Sequence, residues 1–130
     1  MESHFFAYRG SAERENRIAQ KERELAQLED RQKPLLAERN RLLSDLDGEQ
    51  LTLAQLNSAL EKLRSENARL KSDSERQQRE KQRVDLEIQR FQAEISRVNS
   101  DDRVSDKVKK ERIESLKKQI KSYLEIMLTR

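Results

Sequence analysis

Apolar residues recur every seven positions from Ile18 to Val98 and keep one register throughout. With position a at Leu25 and position d at Leu28, sixteen of the 24 seam positions in this range are apolar, in a chain that is only 33% hydrophobic. A sustained heptad repeat is typical of a coiled coil, where each seam residue packs against a neighbouring helix. The sequence therefore predicts an all-α fold, with a long extended helix in a parallel coiled coil, two-stranded or part of a larger helical assembly. The residues predicted to bind the partner are Leu25, Leu28, Leu35, Leu42, Leu46, Leu53, Leu56, Leu60, Leu63, Asn67, Leu70, Val84, Ile88, Phe91, Ile95 and Val98.

Two positions inside the repeat oppose a straight helix without shifting its phase. Pro34 lacks an amide N–H and clashes with the preceding turn, so a helix through it should kink, or end and restart there. Asp47-Gly48 is a turn dipeptide, at which the chain could reverse into an antiparallel hairpin. Because the seam keeps its register across both points, we expect a rod over residues 11–98 with kinks at Pro34 and Gly48. The alternatives are a helix that ends and restarts at Pro34 and a chain that reverses at Gly48 into an antiparallel hairpin.

The strength of the seam varies along the rod. Its most regular stretch is Leu53 to Leu70, where Asn67 occupies an a position and favours a parallel two-stranded register. No apolar residue lies between Leu70 and Val84, so residues 71–83 are expected to form a weak segment with a polar core, a hinge or a zone that binds another protein on its side.

The charges that flank the seam indicate what kind of partner it has. The g positions are mainly acidic, and in a parallel homodimer they would face mostly neutral e positions or, at Glu24–Glu29 and Glu80–Asp85, other acids. Pairs of like charge at these positions destabilise a coiled coil. We therefore expect a heteromer with another coiled-coil protein whose flanks are basic or neutral.

A basic row occupies six consecutive c positions on the outer face of the rod. An acid stands three residues before five of the six, a spacing that allows ion pairs within one helix. We expect the row to support the helix, and the alternative is a stripe that binds a polyanion. Its members are Lys62, Arg69, Arg76, Arg83, Arg90 and Arg97.

The two ends of the chain differ from the rod. Residues 1–10 form an aromatic arm before the N-cap Ser11, and Phe5, Phe6 and Tyr8 either cover the end of the coiled coil or anchor in a partner's pocket. Residues 99–104 are a break, and residues 105–130 are predicted to form a basic amphipathic helix. Its apolar face, in a register of its own, consists of Ile113, Leu116, Ile120, Tyr123, Leu124 and Met127.

The charge of the chain is concentrated in this tail. Residues 103–130 hold nine Lys or Arg against four Asp or Glu, so their net charge of +5 leaves −2 on the rest of a chain whose total is +3. A clustered positive charge attracts anionic surfaces. We expect the tail to dock on a partner protein; it could instead fold back on the rod or bind an anionic surface such as tubulin, a membrane or nucleic acid.

Composition narrows the functional classes further. With 41% charged residues, 4% aromatics and no cysteine, no sizeable single-chain core is expected, and neither disulfides nor thiolate metal sites are available. The lone His4 and two isolated glycines form no catalytic or phosphate-binding motif. We expect no enzymatic activity, no cofactor, no metal and no small-molecule substrate. The N-terminal sequence lacks a secretory pattern and no apolar run approaches the ~20 residues of a membrane span, so we expect a cytoplasmic, cytoskeleton-associated protein, with the nucleus as the alternative.

These patterns predict a non-enzymatic scaffold subunit of a larger assembly, cytoskeletal or ciliary and centrosomal. One alternative is a membrane-tethering or trafficking adaptor that uses the basic tail. Another is a nuclear, DNA-associated protein, since the leucines at 28, 35 and 42 resemble the leucine repeat of basic zippers. The basic helix that this class places before its zipper has no counterpart here, because residues 11–24 carry no net charge.

Overall fold

A computed structural model describes residues 2–48 and 50–127, with side chains from Ser11 onward. Four helices follow one another: α1 (Glu2–Asp47), α2 (Leu53–Arg69), α3 (Glu75–Ser100) and α4 (Asp106–Ile126). No strand occurs in the described ranges, so the all-α prediction is confirmed. Residues up to Lys33 and residues from Pro34 onward form two separate units.

Side-chain caps define where the later helices begin. At the start of α2, the Thr52 hydroxyl accepts a hydrogen bond from the Gln55 N–H at 3.1 Å, and the Gln55 side-chain oxygen accepts one from the Thr52 N–H at 3.0 Å. The Ser74 hydroxyl accepts from the Gln77 N–H at 3.2 Å before α3, and Ser105 caps α4 in the same way. These bonds satisfy amide groups that have no partner within the helix.

Within the second unit, consecutive helices run antiparallel. In each pair of packed helices, the residue numbers of the contacts rise along one helix as they fall along the other. Between α2 and α3 these contacts are Glu61–Gln92 at 2.8 Å and Arg64–Asp85 at 2.7 Å. Between α3 and α4 they are Phe91–Tyr123, with ring centroids 5.7 Å apart, and Asp101–Arg112 at 3.0 Å. Between α1 and α4 they are Arg39–Met127 at 3.3 Å and Asp47–Lys121 at 2.9 Å.

All four helices contribute to one apolar core in this unit. Every member is at most 9% exposed, and the core consists of Leu35, Leu42, Leu56, Leu60, Leu63, Leu70, Val84, Ile88, Phe91, Ile95, Leu116, Ile120, Leu124 and Met127. The expectation that no sizeable single-chain core forms was therefore wrong. Overall composition misled because the apolar residues are concentrated on one face of each helix, and the reversals of the chain turn these faces toward one another.

The continuous rod expected over residues 11–98 is instead divided among α1, α2 and α3. The chain leaves the helix after Asp47, as in the hairpin alternative, and again between Arg69 and Glu75. Of the expected weak segment over residues 71–83, only residues 71–74 lie outside a helix. Hydrogen bonds from side chains at the turn stabilise both helix ends. Pairing with a second chain in a parallel coiled coil stays a prediction.

Three other predicted boundaries can be compared with the structure. Pro34 lies inside α1, so a restart of the helix at this residue is wrong. The backbone of α1 is helical from Glu2, where a separate arm over residues 1–10 was expected, and the side chains of Phe5, Phe6 and Tyr8 lie outside the described residues. For the expected break over 99–104, α3 ends at Ser100 and α4 begins at Asp106.

Replacing Leu63 by alanine tests the single-chain core. Leu63 is fully buried, and a Leu→Ala change in a core costs about 2–5 kcal/mol in the free energy of unfolding. Urea unfolding of the isolated chain, followed by circular dichroism, measures this loss. Leu25→Ala is the control, because Leu25 is 58% exposed and surface substitutions stay within about 0.5 kcal/mol. Equal, small losses in both variants would contradict the core.

Candidate interaction surfaces

The predicted seam divides into a buried part and an exposed part. From Leu35 to Val98 its apolar residues are buried in the chain's own core, or half-buried against it at Leu46 and Leu53. Toward the N-terminus the seam is open, since Ile18 is 56% exposed, Leu25 is 58% exposed and Leu28 is half-buried, whereas Gln32, the last seam residue before Pro34, is 7% exposed. The stretch Leu53–Leu70, expected to bind a partner most strongly, is already covered by other helices of the same chain.

Asn67 has a partner inside the chain. Its side chain is 2% exposed, and its amide nitrogen donates a hydrogen bond to the backbone carbonyl of Lys81 at 2.9 Å. The role in which Asn67 meets a polar side chain at the same level of a parallel partner and sets the register stays a prediction. Within the chain the amide joins α2 to α3, because the reversal of the chain brings the first turns of α3 beside the end of α2.

Lys81, another polar seam residue, completes the α2–α3 turn. Its ammonium donates to the carbonyls of Ala68 and Leu70, each at 2.9 Å. The last carbonyls of a helix have no partner within it and carry partial negative charge, so a cation there is stabilising. The bonds of Asn67 and Lys81, which we call the turn clamp, hold together the segment that was expected to be soft.

The apolar face of the tail packs on the chain itself. Leu116, Ile120, Leu124 and Met127 are buried in the common core, and Ile113 and Tyr123 are half-buried. Of the dispositions considered for the tail, this is the one in which it folds back on the rest of the chain. Because α4 is integral to the core of the second unit, a separate C-terminal helix that docks on a partner is not confirmed.

Part of the charge that made the tail distinctive takes part in contacts within the chain. Four of its cations are bonded in this way: Lys109 to the carbonyl of Asn99 at 3.1 Å, Arg112 to Asp101 at 3.0 Å, Lys117 to Glu114 at 3.7 Å and Lys121 to Asp47 at 2.9 Å. The backbone N–H of Arg103, followed by the Arg112 guanidinium, holds the pKa of Asp101 below its usual value. The hydrogen bond to Asp47 raises the pKa of the Lys121 ammonium.

The basic row is divided between α2 and α3, which run in opposite directions. Within these helices Arg69 pairs with Glu66 at 3.2 Å and Arg97 with Glu94 at 2.7 Å, as the three-residue spacing predicts. Each such exposed pair contributes about 0.2–1 kcal/mol. The row therefore supports its own helices, and the linker over residues 70–74 interrupts the straight line that a polyanion would follow.

A cleft beside the α3–α4 turn is lined by charged groups, among them Asp101, Arg103 and Arg112. Its carboxylate and guanidinium groups pair with one another.

In the part of the chain that the structure describes, no three His, Cys, Asp or Glu side chains are grouped to hold a metal ion. Nor does any helix among those residues have an apolar stretch long enough to cross a bilayer.

Sequence reasoning missed the residues that end and begin the helices. Thr52 with Gln55 and Ser74 with Gln77 match the capping signature of Ser or Thr followed three residues later by Glu or Gln, so this signal was present. The clamping role of Lys81 had no comparable signal, because a lysine at a seam position looks the same whether it faces solvent or a helix end.

Comparisons of the chain with protein-family models, with curated proteins and with solved structures each gave no match.

Tyr123 gives a pH-dependent test of the packing of α4. Burial, followed by the nearby charge of Glu87, raises the pKa of Tyr123 from its ordinary value of 10.0 to about 12. Because the folded pKa lies above the unfolded one, this group's contribution to stability is complete below pH 10 and is lost as the pH rises toward 12. The variant Tyr8→Phe leaves Tyr123 as the only one of the two tyrosines in the chain. In a pH titration followed by the ultraviolet absorbance of tyrosinate, its midpoint should lie near pH 12 in the folded chain and near pH 10 in urea. Circular dichroism confirms folding in the same titration; a midpoint near 10 in a helical chain would contradict this packing.

Asn67→Ala tests the turn clamp. The change removes the hydrogen bond from the Asn67 amide to the Lys81 carbonyl, and a typical hydrogen bond within a protein contributes about 0.5–1.5 kcal/mol to the free energy of unfolding. Asn57→Ala is the matched control, since Asn57 is an exposed residue of α2. Urea unfolding measures both. If the two variants lose the same small amount, the hydrogen bond does not stabilise the turn.

Proposed function

We propose that this protein is a non-enzymatic scaffold subunit that holds another helical protein through the part of its heptad seam that precedes Pro34, and that the complex is heteromeric. The single observation that carries this proposal is the difference in exposure along the seam. Ile18 and Leu25 are more than half exposed, whereas the seam from Leu35 onward is already covered. A partner can bind the first part without unfolding the second.

The energetics of an exposed apolar helix face support this assignment. Covering a leucine or isoleucine side chain gains about 1.5–3 kcal/mol, and helices in proteins obtain most of their stability from packing such a face. Residues up to Lys33 form a unit apart from the core that the later residues build. A second helix laid along Ile18, Leu25 and Leu28 would supply the packing that this unit lacks.

The broader setting that we propose is a cytoskeletal or ciliary and centrosomal assembly. The support is architectural, because the described residues offer helix faces and charged surfaces to other macromolecules. Membrane tethering and DNA association have less support. The apolar face of α4 is packed in the core, and four of its cations form bonds within the chain.

The test combines two seam substitutions with a matched control. Ile18→Lys with Leu25→Lys should abolish the complex, because two ammonium groups replace the apolar contacts, while urea unfolding stays close to that of the parent chain. Leu86→Lys is the control, since Leu86 is 61% exposed and lies on α3, away from the seam. A photo-cross-linking side chain in place of Ala19, an exposed residue beside Ile18, followed by mass spectrometry of the products from cells, measures the complex.

We expect one heteromeric product in the parent chain and in Leu86→Lys, and its loss in the double variant. The same product in all three chains would refute binding through this seam. A stable homodimer of the purified parent chain in analytical ultracentrifugation would contradict the heteromer.

A further inference from the structure

We infer that the open seam of α1 selects its partner by charge, and that the partner is a helix with a basic row along one flank and acidic residues at the seam positions that face Arg14 and Lys21. This inference rests on the proposed function and specifies the chemistry of the partner. It concerns residues 11–29, which we call the open seam.

The first observation is the alternation of apolar and cationic residues along the open seam. Ile18 and Leu25 occupy a positions and Leu28 a d position, whereas Arg14 and Lys21 occupy the two preceding d positions. Both cations are exposed. A partner that covers the apolar residues also encloses these cations, and enclosed cations need acidic or hydrogen-bonding partners.

The second observation is the row of carboxylates beside the open seam. Its members, Glu15, Glu22 and Glu29, occupy three consecutive e positions and all are exposed. In a parallel pair of helices the e row faces the partner's g row, and in an antiparallel pair it faces the partner's e row. In either direction, one flank of the partner lies against three carboxylates, and lysine or arginine there gives attractive pairs.

A second copy of this chain does not fit as a parallel partner. Lys21 of one copy would face Lys21 of the other inside the seam, and Glu29 would meet Glu24. Only Glu22 with Arg17 would attract. Like charges at these positions oppose pairing, and inside a seam that excludes water they act at closer to full strength.

An antiparallel second copy is no better. With Ile18 of one copy at the level of Leu28 of the other, the two acidic e rows face each other. Glu15 then meets Glu29, and Glu22 meets Glu22. Both arrangements of a homodimer therefore place like charges together, and the open seam is complementary to a chain of different charge pattern.

The experiment uses the full chain and two synthetic helical peptides of three heptads that share the same apolar seam. The matched peptide carries lysines in the row that faces Glu15, Glu22 and Glu29, and glutamates opposite Arg14 and Lys21. The reversed peptide has these signs exchanged. Fluorescence anisotropy gives the dissociation constant of each, at low and at physiological ionic strength.

We expect the matched peptide to bind at least about tenfold more tightly, since several exposed pairs each contribute up to about fivefold. The preference should decrease at higher salt, because ions screen exposed charges. Equal binding of the two peptides, tighter binding of the reversed peptide, or no binding of the matched peptide would each overturn the inference.

A charge-swapped chain supplies the reciprocal test. Glu15→Lys, Glu22→Lys and Glu29→Lys combined with Lys21→Glu should shift the preference toward the reversed peptide. The control chain, Glu13→Lys with Asp30→Lys, has the same change of net charge at outward c and f positions. It should keep the preference of the parent, and a control that shifts as much as the swapped chain would show that only net charge matters.

The double variant Ile18→Lys with Leu25→Lys separates this inference from the proposed function. If both peptides bind equally to the parent and neither binds to the double variant, binding through the seam stands and selection by charge is refuted. If the matched peptide binds the double variant as tightly as the parent, the seam is not the binding site and the proposed function fails with the inference.

Discussion

The structure depends on the burial of the leucine seam by other helices of the same chain. An a/d stripe is unstable in water, and each helix requires a second one to cover it. The linkers after α1, α2 and α3 reverse the chain, so that Leu60, Ile88 and Ile120 meet in one core instead of facing a second molecule. The polar contacts between helices of the second unit, among them Arg64–Asp85 and Asp101–Arg112, depend on this mutual covering.

Much of this core could be predicted from the sequence, but not the helices that cover it. The heptad pattern marked Leu56, Leu60 and Leu63 as buried, and the structure buries them. A heptad period indicates which face of a helix is apolar. It does not indicate whether the helix that covers this face belongs to the same chain or to another one. The signals that do bear on this, the caps at Thr52 and Ser74, are short and local, and an unbroken phase made them easy to overlook.

The candidate site was predicted less well than the fold, and the reason lies in the chemistry of polar groups. Leu25 and Leu35 are both seam leucines, yet Leu25 is 58% exposed and Leu35 is fully buried in the core. Asn67 and Lys81 were expected to face a partner or weaken the seam, yet each bonds to the backbone across the α2–α3 turn. The partner of a polar atom is set by three-dimensional neighbours, which periodicity does not contain.

The turn clamp has a consequence for how the chain can vary. If α3 slid along α2 by one helical turn, the amide of Asn67 would lose the Lys81 carbonyl, and the Lys81 ammonium would lose the carbonyls at the end of α2. These hydrogen bonds therefore help to select one alignment of the two helices, together with the packing of Ile88 and Phe91 in the core. The length of the linker should accordingly be constrained, because an insertion or deletion there would move the donors and acceptors of the turn clamp to different levels.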